Sequence, residues 1–92
     1  MQVKLLRLLC LPCAGASATM YLRWKRHLPA WIEIYPVELP GRGERLGEPL
    51  IDDFETLVVR LCEEQATRMR GDFALFGHSM GALLAYGMAA RL

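Results

Sequence analysis

Apolar and polar positions along this chain change period several times, and each change marks an element. Residues Val3 to Leu11 form a nearly continuous apolar run, the pattern of a strand covered on both faces in a parallel sheet. Pro12 ends it, and the small residues of "CAGASA" read as a loop. In "TMYLRWKRHL", residues 19–28, Tyr21, Trp24 and Leu28 recur at i, i+3 and i+7, which predicts a helix with Ser17 or Thr19 as N-cap and Pro29 as its stop. "WIEIYPV" predicts a short second strand ending near Pro36. "ELPGRGERLGEPL" is dense in glycine and proline and predicts a loop, with a turn favoured at Pro40 and Gly41.

The longest helical pattern follows. Asp52 or Asp53 supplies the N-cap, and Phe54, Leu57, Val58 and Leu61 recur on one face. Arg68 and Arg70 are expected in its last turn, with Gly71 just past it, so that both ends carry the charge the helix dipole prefers. "FALFG" predicts a third strand and "MGALLAYGMAARL" a third helix. The order strand, helix, strand, helix, strand, helix implies an α/β fold with a parallel sheet. In such sheets, sites form outside the carboxyl ends of the strands. The "PCAGA" loop and the serine of "GHSMG" both fall there.

Composition narrows the function classes. The chain has 92 residues, 53% hydrophobic and 23% charged, enough apolar surface to offset ordering entropy but more than a domain this small hides by itself. Eleven basic and ten acidic residues leave a net charge of +1, with no basic stripe interleaved with aromatics, so nucleic-acid binding is not expected. Arg7 interrupts the only segment resembling a secretory leader. No apolar span is long enough to cross a bilayer, and a cytoplasmic location with no membrane partner is expected. Three cysteines do not make a disulfide framework. Cys10 and Cys13 form a C-x-x-C, but redox pairs place the first cysteine at a helix N-terminus, whereas Cys10 falls inside the first predicted strand. Gly41, Gly43 and Gly47 miss the dinucleotide-binding spacing.

Gly77-His78-Ser79-Met80-Gly81 spells G-x-S-x-G. A serine on a sharp strand-to-helix turn needs neighbours without side chains, because strand and helix converge there. The turn holds Oγ up and puts the N–H of Met80 at a helix N-terminus, where negative charge is favoured. An acyl-transfer site also needs a second N–H donor from the loop after an earlier strand, and "LPCAGASA" suits that role.

The blocks "LLCLPCAGASATMYLRW", "VELPGRGERL" and "LFGHSMGALLAYGMA", in that order and spread over nearly the whole chain, resemble the type II thioesterases of nonribosomal peptide and polyketide synthesis, external editing enzymes of the α/β-hydrolase fold. The resemblance implies that Ser79 is the nucleophile and that Met80 and Ala14 supply the two oxyanion N–H groups. Ala16 stands where the family usually has a second glycine. Arg42 and Arg45, in the family's arginine-bearing loop, are expected to order that loop. The implied substrates are acyl groups held as thioesters on the phosphopantetheine arm of carrier protein domains, which are the implied partners. Serine attack would give an acyl-enzyme that water then hydrolyses, with no metal or dissociable cofactor and a monomeric complete enzyme.

The hydrolase order is serine, then an acid, then histidine. Residues 80–92 contain no acid and no histidine. His78 is adjacent to the serine but is expected to pack beneath the turn, and His27 lies near the end of the first predicted helix, where the dipole favours it. Glu33 and Glu63 precede the serine. The expectation is therefore that residues 1–92 are the N-terminal part of a longer thioesterase, unable alone to hydrolyse thioesters or to fold cooperatively. Two alternatives stay open: another serine α/β-hydrolase acting on esters, and a non-catalytic fragment that only binds a carrier protein.

Overall fold

A computed structural model of the chain describes residues 5–13 and 18–92. Three strands, β1 (Leu6–Leu11), β2 (Ile32–Pro36) and β3 (Phe73–Gly77), form one parallel sheet in the order β2-β1-β3. Register pairs Leu8 with Ile34 on one side and with Ala74 on the other. Alternation along β1 explains how a nearly unbroken apolar strand is used on both faces. Leu9 and Leu11 pack with residues of α1 (Phe54–Glu64) and α2 (Met80–Ala90), including Leu57, Val58, Leu61, Leu84 and Met88. Cys10 and Leu8 join Tyr21, Ile34, Trp24 and Leu28 in the other cluster. Successive side chains of a strand point to opposite faces, so the central strand supplies both layers of core. Val3, at the start of the first apolar run, and Ser17, an expected N-cap, lie outside the described residues.

Two expectations are corrected. The segment after β1 is helical as predicted, but it is a 3-10 helix, Ala18–His27. With three residues per turn, positions i and i+3 eclipse, so Tyr21 and Trp24 stack in one row against the sheet. Their rings meet edge-on at 5.1 Å, and Trp24 meets Phe76 of β3 at 5.0 Å. The buried Tyr21 hydroxyl donates to the Leu11 carbonyl, tying the segment to the end of β1. Tertiary contacts of this aromatic row outweigh the small intrinsic preference for the wider helix.

The second correction concerns α1. Its N-cap is Asp53, whose carboxylate accepts from the Thr56 N–H at 2.8 Å. Yet it stops at Glu64, and neither Arg68 nor Arg70 belongs to its last turn. Gln65 is buried, and its carbonyl accepts from the N–H groups of Arg68 and Met69. The chain turns there, and the Arg68 guanidinium comes to 4.7 Å from the Tyr35 ring centroid. The helix thus ends on the acidic pair Glu63-Glu64, which its dipole disfavours. A cation reaches that end from elsewhere: Arg45, in the short 3-10 turn Gly43–Arg45, donates from Nη1 and Nη2 to the two carboxylate oxygens of Glu64 at 2.8 and 2.9 Å. The same guanidinium donates to both oxygens of Glu48 and, at 3.0 Å, to the Glu38 carbonyl. Those contacts use all five of its N–H groups, and the carboxylates of Glu48 and Glu64 hold the guanidinium well above its ordinary pKa. Arg45 is therefore the loop-ordering residue that the sequence suggested, and it clasps residues 38–48 to the end of α1.

Candidate active site

Because all three strands are parallel, their carboxyl ends lie along one edge of the sheet. Gly77, the last residue of β3, stands opposite Leu11, the last of β1. The two loops that follow, beginning at Pro12 and at His78, therefore leave the sheet side by side.

Ser79 occupies the turn from β3 into α2 with φ +59° and ψ −121°. Among the described residues it is the one non-glycine with positive φ, a region L side chains enter only at the cost of roughly 1–3 kcal/mol. Both flanking glycines are required by close approach. A Cβ at Gly77 would overlap the Gly81 carbonyl and come within 2.5 Å of the Ala82 nitrogen. A Cβ at Gly81 would overlap the Leu11 carbonyl oxygen and lie 2.8 Å from that of Pro12. The first glycine lets strand and helix converge, and the second lets α2 pack onto the chain leaving β1.

Ser79 is exposed and its side chain makes no capping hydrogen bond. Its carbonyl accepts from the Ala82 N–H at 3.0 Å, and the His78 carbonyl accepts from Gly81 at 3.0 Å. Met80 is the first residue of α2, so its N–H is one of those an α-helix leaves without an intrahelical partner. The structure thus brings together the Ser79 turn, the start of α2 at Met80, and the Pro12 end of the first loop. Ala14, the expected second oxyanion donor, lies outside the described residues, as does Ala16.

His78 departs from expectation. It is exposed and not packed beneath the turn, because β3 is an edge strand and no described residue beyond it covers that side. His27 is exposed at the far end of the 3-10 segment. Among the described residues no group of three or more His, Cys, Asp and Glu side chains could hold a metal ion, and no helix is long and apolar enough to cross a membrane. Cys10 is fully buried in β1, where desolvation pushes its thiol up to about 11, the opposite of what a redox-active thiol requires. One feature could not be found by inspecting the sequence. A cavity of about 210 Å³ opens beside the carboxyl end of β2, lined by Thr19, Leu22, Pro36, Glu38 and Glu44, residues brought together only by the crossover.

The thioesterase domain family matches residues 6–92. The gramicidin S biosynthesis protein GrsT of Aneurinibacillus migulanus is 37% identical over 95% of this chain. Among solved structures, RedJ, a thioesterase from the prodiginine pathway of Streptomyces coelicolor, superposes with a TM-score of 0.89 at 44% identity over 95% of this chain. The type II thioesterase BorB from the borrelidin cluster gives 0.89 at 38% identity over 98%. This chain spans 34% of GrsT, 33% of RedJ and 37% of BorB. A glycine-flanked serine at the carboxyl edge of a parallel sheet, a family match along nearly the whole chain and agreement with solved thioesterase structures lead to one conclusion: the chain belongs to the thioesterase domain family.

Proposed function

We propose that this chain carries the nucleophile half of a type II thioesterase that frees acyl groups from the phosphopantetheine arm of carrier proteins in nonribosomal peptide or polyketide synthesis. Ser79 is the nucleophile in this reading. Its Oγ attacks the thioester carbonyl, the thiol of the arm departs, and water then cleaves the acyl-enzyme. The Met80 N–H and the Ala14 N–H hold the oxyanion, each such donor contributing about 3–4 kcal/mol of transition-state stabilisation. The observation that carries the reading is the backbone of Ser79: a non-glycine at φ +59° between two glycines that cannot accept a Cβ. Strain of this kind persists where function uses it.

The general base is not among residues 80–92. Neither exposed histidine occupies the place after the nucleophile that the hydrolase order assigns to the base. In this proposal residues 1–92 alone do not turn over.

The experiment joins residues 6–92 of this chain to the part of RedJ that they do not match and follows hydrolysis of an acyl-pantetheine thioester. Turnover is expected, with Ser79→Ala lowering kcat on the order of 10⁶-fold, as removal of a triad serine does elsewhere. Undiminished turnover by the Ser79→Ala chimera would exclude Ser79 as nucleophile. Faster hydrolysis of simple oxygen esters than of the thioester would favour an esterase.

A further inference from the structure

One of the three rows of the 3-10 segment Ala18–His27 packs on the sheet through Tyr21 and Trp24. The other two rows, Met20-Arg23-Arg26 and Leu22-Lys25, face solvent: Met20 is 39% and Leu22 51% exposed, and Arg23, Lys25 and Arg26 are all exposed. The segment holds no acidic residue. Elsewhere among the described residues Arg45 is paired with Glu48 and Glu64 and Arg91 with Glu55, while Arg7, Arg42, Arg60, Arg68 and Arg70 lie on other segments of the chain. Among the described residues Arg23, Lys25 and Arg26 have no ion-pair partner. Three exposed cations within four residues, with no acid in the segment, therefore share one outward face, with two exposed apolar side chains at its N-terminal end.

That end is also where the face meets the proposed chemistry. Leu22 lines the cavity beside the carboxyl end of β2, along the sheet edge that bears the Ser79 turn. At about 2 Å of rise per residue, Arg23 and Lys25 lie only about 2 to 6 Å farther along the axis. A partner seated on the cations would hold a tethered acyl group next to that edge.

We infer that the outward face formed by Met20, Leu22, Arg23, Lys25 and Arg26 is the docking surface for the carrier domain, engaging an acidic, partly apolar protein surface. The inference rests on the carrier-bound substrate proposed above. Charge complementarity of this kind steers encounter and fixes orientation more than it adds affinity. The apolar pair supplies the small area that water leaves on contact.

The test titrates the RedJ chimera with a phosphopantetheinylated carrier domain of strongly negative net charge and reads the dissociation constant. Two sets of variants are compared: R23E/K25E/R26E, and a control with the same change of net charge, R60E/R70E/R91E. Far-UV circular dichroism checks each fold, and the milder pair R23Q/K25Q/R26Q and R60Q/R70Q/R91Q replaces the two variants if either fails. The patch variant is expected to bind about tenfold more weakly than the control. Binding of the unaltered chimera should weaken between 0.1 and 1 M salt, as the screening length shrinks from about 10 to 3 Å. Equal loss in both variants, or no binding at all, overturns the inference. So does equal or tighter binding to phosphatidylglycerol vesicles or duplex DNA, which would assign the face to another partner. Hydrolysis of a small soluble thioester by the RedJ chimera separates the two proposals. The patch variant leaves it unchanged if only docking is at stake, whereas its absence in the unaltered chimera counts against the thioesterase reading and leaves the binding comparison intact.

Discussion

Ser79 holds its Cβ in a backbone region that only glycine enters freely, and the surrounding contacts explain why it stays. Gly77 and Gly81 bring β3, α2 and the chain leaving β1 so close together that the turn has little room to relax. Removing the Cβ should therefore stabilise the fold even as it removes the hydroxyl. Ser79→Gly is expected to exceed Ser79→Ala in stability by about 1 kcal/mol, the relief of strain being partly offset by the greater freedom of glycine in the unfolded chain. Urea titration of the RedJ chimera measures this, and a Ser79→Gly protein less stable than Ser79→Ala would show that the turn is not strained. The serine and its flanking glycines were legible in the sequence because the motif follows from local sterics. The buried hydrogen bond from Tyr21 to Leu11 was not, since it depends on how the crossover returns to the sheet. The second oxyanion donor is assigned through resemblance alone, as Ala14 lies outside the described residues.

At the scale of elements, hydrophobic period identified the three strands and the three longer helical segments, while the 3-10 turn Gly43–Arg45 fell within a stretch read as loop. Asp53 caps α1 as its position before an apolar period suggested. The end of α1 was misjudged because arginines followed by glycine imitate a C-terminal signal. The chain instead leaves the helix at Gln65, and the compensating cation is Arg45, nineteen residues before Glu64 in sequence and contributed by another loop. No local pattern reports a contact of that range. The cap has a pH signature. The Thr56 hydroxyl first, and the Thr56 N–H second, hold the Asp53 carboxyl below its ordinary pKa. A carboxyl depressed on folding contributes stability that is fully present above its unfolded pKa and is lost as pH falls through the folded value. The prediction is that the difference in stability between the unaltered chimera and Asp53→Asn narrows steadily as pH falls below about 4, the ordinary carboxylate range. A difference independent of pH would mean that the carboxylate charge is not what the cap uses.

Across the whole molecule, apolar surface is distributed unevenly. The α2 segment carries no charged side chain between Met80 and Ala90, the composition of a helix covered all round, yet only one side of it is covered here. Leu83 is 62% and Tyr86 76% exposed, and Tyr86 lines a groove with Phe73, Ala74 and Leu75. The adjacent strand β3 is an edge that lacks the charges and prolines with which sheets usually protect edges. The 92-residue chain alone is therefore expected to bind a hydrophobic dye such as ANS, to sediment as concentration-dependent oligomers and to unfold over a broad temperature range. Leu83→Glu combined with Tyr86→Glu should lower both dye binding and association. A dye-silent monomer with a sharp, two-state calorimetric transition would contradict this.

The contact between Gly81 and the carbonyls of Leu11 and Pro12 has an evolutionary implication. Main chain meets main chain there, so the spacing of the two loops does not depend on which side chains decorate them. Homologues can exchange residues of either loop, and laboratory recombination can swap whole loops, without resetting the distance between the carboxyl ends of β1 and β3. Change at position 81 itself lacks that freedom, and any lineage that acquired a side chain there would need a matching backbone shift after β1.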